Sequence, residues 1–182
     1  MDFSLSGEQT AFVDEVAAFC RKHCADVDIN ELERTGSDPE DIEAKLVESG
    51  YYGLPFPEAY GGKGKDFFYF GLLLEGLLRG GYPYPGRFQA TMLNALNVFE
   101  SGSESQKKEI LPKVISGEAT LSISLTEPNS GTDVASLKTK AVEMDGGFAI
   151  TGQKVYSSGA AGEKNIIVAG VRTDPAAPRH KG

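Results

Sequence analysis

Two short polar turns hold the side chains in this chain that are best suited to binding a ligand. The first, residues 125–133, places two threonines, a serine and two carboxylates around a proline and a glycine. The second, residues 152–159, contains a lysine, a tyrosine and two serines. Each turn adjoins a strand-like segment, so the pair can offer a flat polar ligand several fixed hydrogen-bond partners. The spacing of these residues alone does not identify that ligand.

Motifs for other nucleotide and hydrolytic sites are missing from the sequence. The loop at residues 61–66 reads Gly-Gly-Lys-Gly-Lys-Asp, and neither lysine is followed by the serine or threonine of a P-loop. No Gly-x-Gly-x-x-Gly follows a strand-like segment, which leaves a Rossmann site for NAD or FAD unsupported. There is no Gly-x-Ser-x-Gly elbow, and two histidines offer little for a Ser or Cys triad.

The elements that must position these turns begin with helices. Over the first two-thirds of the chain, apolar residues recur at three- and four-residue spacing. Polar residues suited to helix N-caps precede the predicted helices at Ser6, Asp38, Asp66 and Ser103. The second of these helices ends near Gly50, and later ones are predicted at residues 67–79, 88–101 and 104–110. Pro112 either kinks the chain or begins a new turn.

Near residue 120 the spacing changes to that of strands. Leu121, Ile123 and Leu125 alternate with hydroxyl residues, which is typical of a half-buried strand. A hairpin turn is predicted at Asp145-Gly146-Gly147. Helices followed by strands, without alternation of the two, predict an α+β fold with two regions. The other predicted strands lie at residues 135–142, 147–151, 154–156 and 166–172.

The composition restricts the class of partner. The chain has 182 residues, of which 26 are acidic and 18 basic, for a formal net charge of -8. The basic residues are scattered without a stripe, so nucleic acid and anionic membranes are poor partners. The longest apolar run, residues 67–78, is interrupted by Glu75 and is too short to span a bilayer. Because no basic segment precedes an apolar run at the start of the chain, we expect a cytoplasmic protein.

The two cysteines could begin a metal site but do not complete one. Cys20 and Cys24 stand four residues apart on the first predicted helix, with His23 between them. A third and a fourth ligand are missing from this neighbourhood. We therefore expect both cysteines to be reduced and packed, and we assign no metal.

The ordered motifs resemble the flavin-binding signature of the acyl-CoA dehydrogenases. Residues 125–133 match Leu-Thr-Glu-Pro-x-x-Gly-Thr-Asp, and residues 152–158 match Gly-x-Lys-x-aromatic-x-Ser. The resemblance covers residues 3–182, and the ordered set is more specific than any single motif. Upstream, the chain carries residues similar to those of the family at Tyr60-Gly61-Gly62, Gln106-Lys107-Lys108, Leu111-Pro112-Lys113 and Gly117-Glu118.

The resemblance implies an α+β fold in two parts. Residues 1–118 would form the family's N-terminal all-α helical domain. Residues 119–182 would form an incomplete antiparallel β-barrel-like middle domain that carries the flavin-binding face. Members of the family are longer than this chain, so we expect their C-terminal four-helix bundle to be absent from these residues.

The resemblance also implies FAD as the cofactor, bound on a face built from both turns. Thr126 and the backbone N–H groups of its turn would donate to the N1 and C2-carbonyl side of the flavin, where negative charge develops. Ser158 would lie at the N5 edge, and Tyr156 would pack along the isoalloxazine ring. The complete implied contact set is Ile123, Ser124, Leu125, Thr126, Thr132, Tyr156, Ser157 and Ser158.

The remaining residues of the first turn have other expected roles. Thr132 takes a position that in the family lies between the flavin and the CoA part of the substrate, so it is also the implied substrate contact. Glu127 and Asp133 are expected to brace the turn rather than to exchange protons, because acidic residues commonly close such turns. Asn129 replaces a glycine of the family, which would strain the backbone if residue 129 requires a positive φ.

The implied reaction is α,β-dehydrogenation of an acyl-CoA thioester, with hydride transfer to FAD and an electron-transferring flavoprotein as acceptor. The family's glutamate base belongs to its C-terminal bundle, so no catalytic residue is assigned, and the chain alone is expected to be inactive. A homo- or hetero-oligomer is expected. Two alternatives stay open. One is a non-catalytic structural or binding subunit that pairs with a complete homologue, and the other is a related flavin-dependent oxidase or monooxygenase.

Overall fold

The chain folds as a helical unit followed by a unit that contains strands. The computed structural model describes residues 3–35, 39–82, 85–174 and 176–182. The two compact units are Met1–Ala119 and Thr120–Gly182. This order of elements confirms the predicted α+β fold class.

Six α-helices lie within the described residues of the first unit, together with short 3-10 turns at Tyr51–Gly53 and Glu58–Tyr60. Among all described residues, no helix combines the length and the apolar character needed to cross a bilayer. The helices are α1 (Gly7–His23), α2 (Ile29–Thr35), α3 (Glu40–Glu48), α4 (Phe67–Arg79), α5 (Pro85–Ser101) and α6 (Glu104–Ile115).

Three of the four predicted N-caps are confirmed. Ser6 and Ser103 each form a capping box with the glutamine three residues later, so two backbone donors at each helix start are satisfied. Asp66 accepts a hydrogen bond from the backbone N–H two residues later at 2.7 Å. The fourth predicted cap, Asp38, lies outside the described residues, and α3 begins just after it at Glu40.

The observed helices differ from the prediction in three respects: one additional helix and two shifted boundaries. The α2 helix was not predicted, because its polar sequence lacks an apolar period. The α5 helix begins at Pro85 rather than at residue 88, since the fixed φ of proline suits a first helical turn. The α6 helix continues through Pro112 to Ile115. Pro112 gives up one intrahelical hydrogen bond, but its neighbours Leu111 and Val114 are fully buried and hold the last turn in place.

Close contact between α1 and α4 forms the centre of the helical unit. Val16 of α1 and Leu73 of α4 are fully buried. Gly76 makes this approach possible, because a Cβ at that position would lie 2.7 Å from Cγ1 of Val16. Burial of one such side chain stabilises the fold by about 1.5–3 kcal/mol. That gain exceeds the cost of about 1 kcal/mol for a glycine inside a helix.

Polar and aromatic contacts extend this core to α3 and α5. The ring centroids of Phe70 in α4 and Phe88 in α5 lie 5.9 Å apart. The hydroxyls of Tyr52 and Tyr82 both donate to the carboxylate of Glu43 in α3. A half-buried carboxylate with two phenol donors ties α3 to the chain segments that precede and follow α4.

The second unit contains two separate pairs of strands. The strands are β1 (Thr120–Ser124), β2 (Lys140–Met144), β3 (Gly147–Thr151) and β4 (Asn165–Ala169). Strands β2 and β3 form an antiparallel hairpin, whose turn contains Gly146 with a φ of 79°. Strands β1 and β4 pair in parallel, with Leu121 opposite Ile166.

The parallel pairing of β1 and β4 corrects the expectation of an antiparallel sheet. Two parallel strands need a long crossover, and residues 125–164, which include both polar turns and the hairpin, provide it. Two predicted strands also differ from those observed. Of the strand predicted at residues 135–142, only residues 140–142 belong to β2, and residues 134–139 form a 3-10 turn and irregular chain. Residues 154–156 lie in no strand. Backbone groups in both segments bond to the first polar turn instead of to a neighbouring strand.

The β2–β3 hairpin leaves large apolar side chains open to water on both faces. A two-stranded hairpin is marginally stable by itself. Here it is tied to the chain after β4, because the Ala141 N–H donates to the Arg172 carbonyl at 3.0 Å and the Arg172 N–H donates to the Thr139 carbonyl at 2.8 Å. The exposed side chains are Val142, Met144, Phe148 and Ile150.

Both cysteines lie in the core of the helical unit. Cys20 and Cys24 are free thiols and are almost fully buried. Burial raises the pKa of Cys20, and burial raises the pKa of Cys24 to about 12. The thiolate, which is the reactive form, is therefore scarce near neutral pH.

We expect both thiols to resist alkylation until the helical unit opens. After iodoacetamide treatment, mass spectrometry should find Cys20 and Cys24 unmodified in buffer and modified in denaturant. Ser101→Cys adds an exposed thiol at the end of α5 as an internal control, which should react at once. If the native thiols reacted as fast as the added one, the close packing of α1 on α4 would be contradicted.

Candidate functional site

The first polar turn is closed by its own backbone. The Glu127 N–H donates to the Ser130 carbonyl at 2.8 Å, and the Ser130 N–H donates back to the Glu127 carbonyl at 3.1 Å. The Ser130 hydroxyl also donates to the Asp133 carbonyl at 2.6 Å. Among described non-glycine residues, positive φ occurs at Tyr156 alone. Asn129 therefore fits the turn without the strain that its replacement of glycine suggested.

Glu127 anchors this turn to two other segments. Its carboxylate is buried and accepts the N–H groups of Lys138 at 2.6 Å and Thr139 at 2.8 Å. Nζ of Lys154 lies 2.9 Å from Oε1 of the same carboxylate. Burial acts to raise the pKa of Glu127, but the hydrogen bonds from Thr139, Lys138 and Lys154 outweigh it and hold that pKa at about 2. A carboxylate so weakly basic braces the turn and is unsuited to abstracting a proton.

Asp133 closes the far end of the turn. It is exposed, and its carboxylate accepts hydrogen bonds from the hydroxyl of Ser136 and the guanidinium of Arg179. The Ser136 hydrogen bond, followed by the charge of Arg179, lowers the pKa of Asp133. Both acidic residues of the turn thus have the bracing role that the sequence predicted for them.

The second polar turn lies directly against the first. The Val155 N–H donates to the Thr126 carbonyl at 2.9 Å. The Ser124 hydroxyl donates to the Ser157 hydroxyl at 2.6 Å. These bonds bring the two hydroxyl-rich segments, which stand about thirty residues apart in sequence, onto one surface of the second unit.

Tyr156 adopts an unusual backbone conformation within the second turn. Its φ is 60°, in the left-handed region, and the residue is 89% exposed. For a bulky residue this conformation is an outlier that the surrounding structure must enforce. Before Tyr156, the hydrogen bond from the Val155 N–H to the Thr126 carbonyl fixes the chain. After Tyr156, the Ser158 N–H donates to the Tyr156 carbonyl at 3.1 Å. The result is an aromatic ring held out into solvent.

The eight predicted cofactor residues differ in what their side chains can still contact. The hydroxyls of Ser124 and Ser157 are bonded to each other, so these two residues join the turns. Tyr156, Ser158 and Thr132 are exposed. Thr132 makes no hydrogen bond to the second turn within the described residues. Partly exposed side chains belong to Ile123, Leu125 and Thr126.

A pocket of about 190 Å³ is lined in part by Glu127 and contains none of the eight predicted residues. Its volume falls below the roughly 300–1,000 Å³ of typical small-molecule sites. Oγ1 of Thr139, one of its lining residues, is buried without a hydrogen-bond partner. The predicted cofactor face is thus an open surface beside this pocket rather than the pocket itself. The lining residues are Glu127, Pro128, Asn129, Ser130, Ser136, Lys138, Thr139, Gly152 and Gln153.

Lys154 is the residue of this site to which sequence reasoning gave no role. Its ammonium donates to the Leu125 carbonyl at 3.0 Å as well as to Glu127, and its side chain is only 12% exposed. The sequence did contain a signal for this contact. Lys154 is the one charged residue of the second turn, and the first turn contains Glu127. Lysine is rarely buried without a charged partner.

Comparison with known proteins identifies the family and the fold. Residues 6–118 match the family model described as "Acyl-CoA dehydrogenase, N-terminal domain". The chain belongs to the acyl-CoA dehydrogenase family. It is 33% identical over 175 residues to the probable acyl-CoA dehydrogenase YngJ of Bacillus subtilis (strain 168), an alignment that covers 94% of this chain and 45% of that protein.

Two solved structures have the same fold. The Tcur3481-Tcur3483 steroid ACAD matches with a TM-score of 0.81 and 32% identity over 100% of this chain and 47% of its own. The glutaryl-coenzyme A dehydrogenase glutaryl-CoA complex matches with a TM-score of 0.85 and 28% identity, over 96% of this chain and 45% of its own. The chain therefore spans less than half the length of these relatives.

The acyl-CoA dehydrogenase family implies FAD, and the open face offers groups that suit a flavin. Within the described residues, no hydrogen bond takes up the N–H or the hydroxyl of Thr126. Ser158 presents a second exposed hydroxyl, and Tyr156 presents a flat ring. Unsatisfied donors beside an aromatic surface match the polar edge and the apolar faces of an isoalloxazine ring.

We expect the backbone at residue 156 of this acyl-CoA dehydrogenase family member to favour glycine over alanine. Left-handed φ costs a residue with a Cβ about 1–2 kcal/mol and costs glycine little. Tyr156→Ala and Tyr156→Gly both remove the ring, so their difference isolates the backbone term. Tyr156→Gly should be the more stable by about 1 kcal/mol in chemical denaturation. At Thr151 in β3, the alanine variant should be more stable than the glycine variant. If the glycine variant were the more stable at both positions, or the alanine variant at both, backbone strain at Tyr156 would be contradicted.

We expect Glu127→Gln to destabilise the second unit in a pH-dependent way. The pKa of Glu127 is about 2 in the folded chain against an ordinary 4.5, so its contribution is complete above pH 4.5 and is lost as pH falls towards 2. At neutral pH the substitution should cost on the order of 3 kcal/mol, because Lys154 loses its buried partner.

Urea denaturation of both proteins across this pH range measures the effect. The stability gap between the native chain and Glu127→Gln should close as the pH falls through this window. Asp133→Asn is the matched control, since Asp133 is exposed and its variant should show a smaller gap. A stability difference between the native chain and Glu127→Gln that stays constant with pH would contradict an ionised, buried carboxylate at Glu127.

Proposed function

We propose that this chain carries the N-terminal helical domain and the flavin-binding face of an FAD-dependent acyl-CoA dehydrogenase. The match of residues 6–118 to the family's N-terminal domain supports the first part. The contact between the two hydroxyl-rich turns supports the second. The activity proposed for the whole protein is α,β-dehydrogenation of an acyl-CoA thioester.

One observation carries this proposal more than any other. The Val155 N–H donates to the Thr126 carbonyl at 2.9 Å, so the two turns meet edge to edge with Thr126 and Tyr156 close to the contact. An ordinary proline turn between strands has no need of a second turn docked against it. Paired turns with free donors are what a flat, polar ligand requires.

The chain's own residues then have distinct roles toward FAD. The N–H and hydroxyl of Thr126 would donate to the N1 and C2-carbonyl edge, and Ser158 would donate at the N5 edge. The ring of Tyr156 would pack along one face and exclude water from it. Bound FAD would supply the acceptor for hydride from the acyl chain. Thr132, exposed at the end of the first turn, would face the CoA part of the substrate.

The contacts assigned to FAD also include residues that would support the face rather than donate to the polar edge of the ring. Ser124 and Ser157 would hold the two turns at the correct spacing through their shared hydrogen bond. Ile123 and Leu125 would offer partly exposed apolar surface beside Thr126. Each of these assignments extends the family resemblance to a position of this chain.

No catalytic base is assigned among the described residues. Glu127 is excluded from that role by its pKa of about 2 and by its three hydrogen-bond partners. Asp133 is held by Ser136 and Arg179 and its pKa is lowered as well. We propose that the base lies in the part of the longer relatives that this chain does not match, so the chain alone has no dehydrogenase turnover.

We also propose a cytoplasmic location, an oligomeric assembly and an electron-transferring flavoprotein as electron acceptor. The scattered charge and net acidity of the sequence support a partner other than nucleic acid or membrane. A hetero-oligomer is supported by the matched steroid enzyme, whose name joins two proteins, Tcur3481 and Tcur3483.

Quenching of FAD fluorescence by the purified chain tests the cofactor assignment. We expect weak but saturable binding. Thr126→Val and Ser158→Ala should each weaken it by about tenfold, the effect of losing one hydrogen bond to a polar group. Thr151→Val, at an exposed position of the same unit, should leave it unchanged. Equal affinity in all four proteins, or no quenching at all, would overturn the flavin face.

Dye reduction separates the proposed enzyme from a non-catalytic subunit. The 182-residue chain should not reduce a dye in the presence of acyl-CoA, whereas measurable reduction would contradict the placement of the base outside it. A colourless chain that copurifies with a longer homologous protein would favour the alternative of a structural subunit.

A further inference from the structure

Lys154 holds the peptide groups around Thr126 in place. Its ammonium donates to the Leu125 carbonyl at 3.0 Å and to the Glu127 carboxylate at 2.9 Å. It therefore binds the residue before Thr126 and the residue after it. The next residue, Val155, donates its N–H to the carbonyl of Thr126 itself at 2.9 Å.

This arrangement determines where the Thr126 N–H points. A trans peptide is planar, with its carbonyl and N–H on opposite sides. The Leu125 carbonyl faces the buried Lys154, so the Thr126 N–H, which belongs to the same peptide, faces away from it. Within the described residues this N–H has no acceptor, while the next one, of Glu127, is taken up by Ser130.

We propose that Lys154 is a positioning residue that aims the Thr126 N–H at the ligand face. This inference deepens the proposed flavin site and rests on it for the identity of the ligand. Lys154 does not touch the ligand. Its charge fixes the Leu125–Thr126 peptide before any ligand binds, so that no reorientation is needed when negative charge develops on the bound ring.

If the buried Lys154–Glu127 ion pair served only to stabilise the fold, variants of its two residues would behave differently from those of a positioning residue. Removing one partner of such a pair is destabilising mainly because the other charge is left buried and unpaired. Replacing both partners with neutral residues removes that penalty. The double variant Lys154→Met with Glu127→Gln therefore separates folding from positioning, since the Leu125 carbonyl still loses its donor.

The test uses four variants of the purified chain and three measurements, the third of which is stability in urea denaturation. The variants are Lys154→Met, Lys154→Arg, the double variant and Lys164→Met, which removes an exposed lysine of the same unit as a control. The first measurement is ¹⁵N relaxation of the Thr126 amide without ligand. The second is quenching of FAD fluorescence.

In the native chain and in Lys164→Met, we expect a rigid Thr126 amide with an order parameter of about 0.85. In Lys154→Met it should fall below about 0.6, with FAD affinity reduced about tenfold or more. Lys154→Arg keeps the charge and the donors, so it should recover most of both. The double variant should regain stability in denaturation but not the rigid amide or the affinity.

The outcomes for Lys154 and for the flavin site can be told apart. If no FAD binds to the native chain, the proposed function fails, and the amide measurement alone still judges Lys154. If FAD binds and Lys154→Met keeps a rigid Thr126 amide and native affinity, Lys154 does not position the turn. Full recovery of the amide order and the affinity in the double variant would also overturn the inference, because Lys154 would then serve stability alone.

Discussion

The second unit depends on one buried carboxylate, that of Glu127. Moving an ionised carboxylate out of water is unfavourable unless its lone pairs are filled by donors. Glu127 meets this condition with two backbone N–H groups and the ammonium of Lys154. The two N–H groups come from the segment before β2, and the ammonium comes from the second polar turn. The need to satisfy one charge therefore determines how three segments meet.

The two units of the chain are stabilised by different forces. Almost every buried apolar side chain among the described residues belongs to the helical unit, whereas the second unit contributes only Leu121 and Ala141. Burial of apolar surface is non-directional, so it tolerates small shifts in position. The second unit instead buries polar side chains, whose hydrogen bonds have narrow limits in distance and angle. A ligand site that requires fixed donors belongs in the second kind of unit. Its buried polar residues are Ser122, Ser124, Glu127, Ser130 and Thr139.

The sequence predicted what depends on local patterns. Helix caps such as Ser6 and Ser103 depend on contacts three residues apart, and the β2–β3 hairpin depends on a two-residue turn, so both could be read directly. The predicted strand at residues 154–156 was wrong because a distant partner decides its backbone. Lys154 and Val155 bond to the first polar turn, and Tyr156 takes a φ that no strand allows. The parallel pairing of β1 and β4 was missed for the same reason, since alternation within a strand carries no information on its neighbour's direction.

The sequence predicted which residues the candidate site would contain but not which contacts each of their side chains makes. The motifs located both turns and named the hydroxyl residues. Yet Ser124 and Ser157 bond to each other, while no hydrogen bond within the described part of the chain takes up the N–H or the hydroxyl of Thr126. Which hydroxyls bond within the protein depends on how the two segments are aligned. The hydrogen bond from the Val155 N–H to the Thr126 carbonyl sets that alignment. The donor of this bond, Val155, immediately precedes the strained residue Tyr156. Strain of about 1–3 kcal/mol persists only where the surroundings over-determine the backbone. The polar network that orients Thr126 is therefore also what keeps the exposed ring of Tyr156 in position, so loosening it would disturb the donors and the ring together.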